Sequence, residues 1–444
     1  MPSTTIHNPT SQLPKRAADP RWLMDRILDR SRADATAVRF DAISKASSRF
    51  ANNEITQNIV ERKRNLTVRV SFGRRSASAT ANDLSDAGAE ALLSRACDLA
   101  RATPEDSEYV EEPGAQKFPP MSCHALSTAQ ISPPDKARAI LKGIEVARAE
   151  GLTLAGSHHT TDFETILANS KGLTGACRRT EAVYSNTAMS EDASGWAEAI
   201  DTDVSRIDTA ARARVACEKA KAALHPRPLP PGKYDVILEP AAVGEILAYF
   251  LWSLDARAAD EGRSWAAGKK GRKLFADGVT LRSDAADPCV PGSPFNEGGM
   301  ATPAVTWVDR GTLSNLCTSR YWARKQKTEW TGAPTNLLMA EGNTTLDQMI
   351  RGMDRGLLVT RFWYIRHVDP MTLTLTGMTR DGLFWVEKGK IAHGVKNFRF
   401  NESPLGMLER TVQVGRAVRT GEYMPSFVPP VRVEGFNFAS ATEF

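Results

Sequence analysis

Few residues of this 444-residue chain have types and spacings that do chemistry. The seven histidines come first. His158 and His159 are adjacent, so a strand would send them to opposite faces, where they cannot share one ion. His367 lies near Asp369 and His393 near Glu387. Either could join a metal site by folding, but a satisfied structural or surface histidine is the commoner fate. The six cysteines (Cys97, Cys123, Cys177, Cys217, Cys289, Cys317) lack both Cys-x-x-Cys spacing and the pattern of a disulfide framework. They suit a reducing compartment, and a cytoplasmic location is expected. Nothing in the spacing of Gly175-Ala-Cys177 makes Cys177 a nucleophile beside His158. No Gly-x-Ser-x-Gly elbow, phosphate loop or dinucleotide-binding glycine motif occurs. What is left is Glu245, the one charged side chain in Pro240-Ala-Ala-Val-Gly-Glu245, at the head of an apolar run.

Two stretches could make contacts rather than chemistry. Asp260-Glu-Gly-Arg-Ser-Trp-Ala-Ala-Gly-Lys-Lys-Gly271 is dense in charge and glycine. It reads either as a solvated connector or as a subunit or peptide-channel surface led by Arg263. In Arg361-Phe-Trp-Tyr-Ile-Arg-His367, alternation along a strand sends Trp363 opposite to Phe362 and Tyr364. One face of that strand is therefore expected to meet another subunit or its peptide.

Glu245 is positioned by a strand that feeds a helix. Val236, Ile237 and Leu238 form a short apolar run, and Pro240 suits a first helical turn, where its missing N–H costs nothing. Val243, Ile246, Leu247, Phe250, Leu251 and Leu254 recur at helical spacing and predict one wide apolar face.

Upstream, the order helix, strands, helix occurs twice. Helices are expected at Arg21–Ser31, from Ser85 to Thr103, from Pro133 to Gly151 and over Asp208–Leu224. Strands are expected at Ala35–Ser47, Ser48–Thr56, Leu66–Phe72, Leu152–Thr160, Phe163–Asn169 and Glu181–Met189. Residues 104–134 read as a long surface connector. His225-Pro-Arg-Pro-Leu-Pro-Pro-Gly232 ends the last of these helices, since its prolines remove the donors a helix needs. Beyond it the texture turns to β. Asp309-Arg-Gly311, Asp381-Gly382 and Lys388-Gly389 sit at hairpin-like distances, and further helices are expected at Leu346–Arg355 and Leu405–Val414. The expected plan is a disordered leader over 1–20, an N-terminal α+β domain of repeated helix–strands–helix units over 21–228, and a mostly β C-terminal domain over 229–444. The fold class is α+β.

Net charge is +5, with basic residues scattered apart from Arg62-Lys-Arg64 and Lys269-Lys-Gly-Arg-Lys273. Those clusters read as solvated faces, so no nucleic-acid partner is expected. No apolar run reaches the roughly 20 residues that span a bilayer, and no membrane association is expected.

The chain resembles the TldD/PmbA family, also described as modulators of DNA gyrase. The matching segments are Ala81-Asn-Asp-Leu-Ser85, Ala168-Asn-Ser-Lys-Gly172, Leu238-Glu-Pro240, Asp260-Glu-Gly-Arg-Ser264, Gly356-Leu-Leu-Val-Thr360, Thr376-Gly-Met-Thr-Arg-Asp-Gly382 and Val386-Glu-Lys-Gly-Lys-Ile391. Their order and spacing extend over about 400 residues. In the catalytic branch of that family, a His-Glu-x-x-Gly-His helix supplies two zinc ligands and a general base, and a cysteine near the C-terminus completes the site. Here Pro240 and Glu245 stand in the histidine slots, Ala241 in the base slot, and no cysteine follows Cys317.

The resemblance is therefore to the non-catalytic, TldE/PmbA-like branch. It implies no metal or other cofactor in this chain, zinc in a TldD-like partner, and a heterodimer acting on unfolded or modified peptides. The chain could also homodimerise when alone. Two other readings stay open: a stand-alone hydrolase built on His367, His393 or Glu245, and a homodimeric peptide-binding protein without catalysis. On the first reading Glu245 merely decorates a degenerate site.

Overall fold

A computed structural model describes residues 19–421 and 423–442 of the chain. Asp19 caps and Pro20 opens the first helix, so residues 1–18 of the expected leader lie outside the described residues.

The N-terminal half contains two units of like order. The first is α1 (Pro20–Arg30), β1 (Ala35–Ala51), β2 (Glu54–Phe72), β3 (Arg75–Ala81) and α2 (Asp86–Ala102). The second is α3 (Leu126–Ala129), α4 (Pro133–Ala149), β4 (Thr153–Asn169), β5 (Thr174–Met189), β6 (Ser194–Asp201) and α5 (Thr209–Ala222). Ser85 and Ser132 cap α2 and α4 by accepting the amides of Gly88 and Asp135. Asn52 and Asn53, both at positive φ, turn β1 into β2.

All six strands form one sheet in the order β3-β2-β1-β4-β5-β6. Its antiparallel seam pairs β1 with β4, from Ala37 opposite Asn169 to Phe50 opposite Gly156. The order is palindromic, so the repeat glimpsed in the sequence exists as topology. One apolar cluster lies under α1 and α2 and a second under α4 and α5. The connector is a strap laid on the other half of the chain. Its Glu108 accepts from Arg257 (2.8 Å), its Tyr109 carbonyl from Arg324 (2.9 Å), and its Gln116 from the Ala301 amide (2.9 Å).

In the C-terminal half β7 (Gly232–Leu238) runs straight into α6 (Pro240–Trp252). Six short strands make one sheet: β8 (Leu281–Ser283), β9 (Val305–Asp309), β10 (Thr312–Leu313), β11 (Leu337–Met339), β17 (Val418–Thr420) and β18 (Ser426–Val428). The rest join β7 in a second sheet: β12 (Arg355–Asp369), β13 (Thr374–Glu387), β14 (Lys390–Gly394), β15 (Phe398–Glu402), β16 (Thr411–Val414) and β19 (Val431–Ala441). Its path β12-β7-β19-β15-β13 closes on itself because β13 also pairs with β12. Closure removes sheet edges. Helix α6 contacts β7 and β12 of this sheet and β17 and β18 of the other.

Several expectations change in detail. Helix α6 has no single apolar stripe, because Ala241 through Leu251 are all buried between the two sheets. Leu405–Val414 is a helix only over Pro404–Glu409; Thr411-Val-Gln-Val414, rich in β-branched residues, is strand β16. The helix from Leu346 ends at Arg351, before Gly352. Asp381-Gly382 is no hairpin: both have positive φ inside β13, opposite a register shift in β12. Strands β3 and β6 were missed, being built largely of Ser, Ala and Thr or interrupted by charge. Among the described residues no helix is long and apolar enough to cross a membrane.

Candidate functional site

The head of α6 is stitched to β12 by two carboxylates. Glu239, at the end of β7, donates its amide to the Val359 carbonyl at 2.9 Å. Its side chain does not cap the helix. Instead Oε2 accepts from Lys219 Nζ (2.7 Å) and Oε1 from Thr360 Oγ1 (3.2 Å). Farther along the helix, Glu245 Oε2 accepts the Phe362 amide at 2.6 Å, and its Oε1 lies 3.9 Å from Arg361 Nε. The Arg361 guanidinium rests over the Trp196 ring, 4.5 Å from its centroid. The Glu245 and Arg361 side chains are only 4% and 12% exposed. Lys219 belongs to α5 and Trp196 to β6, so the N-terminal half covers this end of the helix.

Such an arrangement orients backbone and binds charge. It does not fit zinc, which needs about three protein donors and an open position. Pro240 and Ala241 carry no side-chain donor, and Glu245 is committed to a main-chain amide. Among the described residues, no group of three His, Cys, Asp or Glu could hold a metal ion. Glu245 is a buried carboxylate that holds a main-chain N–H.

The histidines do not assemble an alternative. Burial pushes His158 down to about 3 and His159 to about 4, so both are neutral. The His367 ring meets Tyr249 edge-on at 5.1 Å, and His393 Nδ1 lies 2.9 Å from its neighbour's carbonyl. Among the described residues no ion pair joins them to Asp369 or Glu387.

The aromatic run divides differently from simple alternation. Phe362 is 1% exposed and packs against Phe400 (4.6 Å) and Phe436 (5.6 Å). Its expected place on a partner surface is therefore corrected: it is core. Tyr364 has φ 57°, and the register with β13 shifts between Trp363 and Arg366. That bulge turns both Trp363 and Tyr364 outward, 41% and 52% exposed. Arg380 lies over Trp363 (4.3 Å) and Arg366 over Tyr364 (4.2 Å). Trp252 and Met371 are about half exposed as well, and Trp252 packs against Tyr249 and Tyr423. Arg263 is elsewhere, paired with Glu261 on an exposed loop. The buried Trp265 anchors that loop by donating to Ser253 Oγ at 2.8 Å.

Sequence reasoning missed Glu239, Lys219, Trp196 and the inward role of Arg361. Their partners are remote in the chain, so no local spacing announces them. Only Arg361, a charge at the mouth of an apolar strand, carried a signal.

Comparison with known proteins follows the same outline. The C-terminal domain of the PmbA/TldA metallopeptidases matches residues 231–440, and domain 1 of the same proteins matches residues 37–100. A metalloprotease PmbA homolog of Buchnera aphidicola is 29% identical over 130 residues, 28% of each chain. A metalloprotease of Methanothermobacter thermautotrophicus is 24% identical over 222 residues, 46% of this chain and 47% of its own. The chain thus spans less than half the length of these relatives in the matched stretches. TldE from Thermococcus kodakarensis superposes with a TM-score of 0.85 at 17% identity, covering 94% of this chain and all of that one. A Thermotoga maritima protein described as a modulator of a DNA gyrase gives 0.84 at 20% identity, with the same coverage. At these identities the likeness is one of fold.

Proposed function

Because the chain belongs to the TldD/PmbA family of metallopeptidase-like proteins, we propose that it is the non-catalytic subunit of a heterodimeric peptidase. Its partner would be a TldD-like chain that carries the zinc, and its substrate an unfolded or modified peptide. The observation that carries this reading is Glu245. It occupies a ligand slot of the catalytic branch, yet it is buried beneath Arg361 and spends its carboxylate on the Phe362 amide. A chain whose catalytic slot has become part of the packing is kept for its surface. Trp363, Tyr364 and Trp252 form the face offered to the partner or its peptide. Obligate interfaces are large and apolar-rich, about 2,000 Å² or more, and exposed aromatics under arginines suit them. The cytoplasm is the proposed compartment, since all six cysteines are free thiols.

The test is co-purification with a TldD-like chain bearing His-Glu-x-x-Gly-His, then metal analysis of each chain alone and peptidase assays of each and of the mixture. Zinc in the partner only, with activity requiring both chains, is the expected result. About one zinc per molecule of this chain after dialysis overturns the reading.

A further inference from the structure

Far from α6 in the chain, a pocket of about 210 Å³ opens between the N-terminal sheet and the helices α3 and α4. Strands β1, β2 and β4 contribute Ser48, Asn58 and Thr160, and α4 contributes Lys136. Lys136 is 2% exposed, and its Nζ donates to the Ala46 carbonyl (2.7 Å) and to Thr160 Oγ1 (2.8 Å). Among the described residues no carboxylate lies within ion-pair distance of it. A buried ammonium without a counter-charge is costly, and burial alone pushes Lys136 down to about 8.

The surroundings leave the positive charge uncompensated. Asp162 lines the pocket but is held by Arg178 (2.6 Å) and lies 3.3 Å from His124. Arg62 also lines it. His158, wholly buried beside Lys136 in β4, has both ring nitrogens without a hydrogen-bond partner, and His159 is neutral as well. Val60 and Ile131 supply an apolar patch of the wall, beside Ser44 and Thr128. Val60 is about half exposed, on the part of β2 that β3 does not reach. A site with one buried cation, one cation at the wall and an aliphatic side selects a particular chemistry.

We propose that this pocket binds an aliphatic carboxylate, its oxygens on Lys136 and Arg62 and its hydrocarbon against Val60 and Ile131. Two sources supply that chemistry: a free short branched acid, and the carboxyl terminus of a peptide ending in an aliphatic residue. The proposal does not depend on the heterodimer.

Calorimetric titration of the full chain with isovalerate and with acetyl-Ala-Leu-Val tests it, with isovaleramide and the C-terminally amidated peptide as neutral controls. At least one of the two acids should bind at one per chain, its neutral control at least ten-fold more weakly. Isovalerate alone assigns the free acid, and the peptide alone assigns the chain terminus; either supports the site. Lys136→Met should abolish binding. Val60→Glu, an exposed change that leaves the core intact, should weaken it at least ten-fold by repulsion even if Lys136→Met does not fold. The proposal is overturned if neither acid binds, if the neutral controls bind equally well, or if a folded variant keeps full affinity.

Discussion

The Glu245 carboxylate accepts the main-chain N–H of Phe362 at 2.6 Å, across 117 residues of sequence. Helix α6 and strand β12 are thereby locked beside the point where β12 slips its register with β13. Glu245 thus acts as a fastener between helix and strand.

Glu245→Ala should therefore destabilise the fold rather than alter a reaction. It leaves a buried amide unpaired and removes the carboxylate beside Arg361, a loss of about 2–4 kcal/mol. Glu245→Gln, which still accepts the amide, should lose less. Urea unfolding of both variants checks this, and a loss under about 0.5 kcal/mol for the alanine variant would refute the fastener role.

Rebuilding the catalytic motif should fail. The triple substitution Pro240→His, Ala241→Glu, Glu245→His restores two ligands and a base but supplies no third ligand, and it sacrifices the fastener. The expected protein melts lower than wild type and holds well under one zinc after dialysis. Stoichiometric zinc by elemental analysis would show that a third donor had been overlooked.

Neighbours in the aromatic run should behave oppositely. Phe362→Ala empties a core position and should cost about 3–5 kcal/mol. Trp363→Ala and Tyr364→Ala should stay within about 0.5 kcal/mol of wild type yet weaken assembly with the partner in size-exclusion chromatography. If both surface variants assemble and support cleavage normally, this face is not the interface.

Lys136 gives stability a pH signature. Burial lowers it from the usual 10.5 to about 8. Between those values the unfolded chain keeps a proton that the folded chain has shed, so folding gains stability as pH rises through this window. The gain is at most about 1.4 kcal/mol per pH unit. The unfolding free energy of wild type minus that of Lys136→Met should therefore rise from pH 7.5 to pH 9.5. A constant or falling value would mean that Lys136 is not desolvated as its packing implies.

The elements were more legible in the sequence than their meeting places. Asn52-Asn53, Ser85 and Gly151 mark a turn, a cap and a stop because positive φ and unpaired helix donors select particular side chains locally. The strand–helix unit at 234–254 was equally plain from its apolar run and Pro240. The junction was not plain. Glu239 with Lys219, and Arg361 with Trp196, are pairs joined only by tertiary packing, and no periodicity encodes them. Phe362 and Trp363 were assigned to faces by a period of two, which holds until a bulge breaks it. Tyr364 at positive φ is that bulge, and nothing in its side-chain type required it.

The palindromic N-terminal sheet carries a consequence for biosynthesis. The Thr36 amide donates to Ser170 Oγ, 134 residues downstream, and β1 has no partner on that side until β4 is made. At about 5–20 residues per second a ribosome takes roughly ten seconds to supply it. For that interval the first unit displays an open strand edge 17 residues long. Arg39, Lys45 and Arg49 stand exposed along it. Charged side chains of this kind deter a nascent edge from pairing with a neighbouring chain, so the seam waits for its own second half.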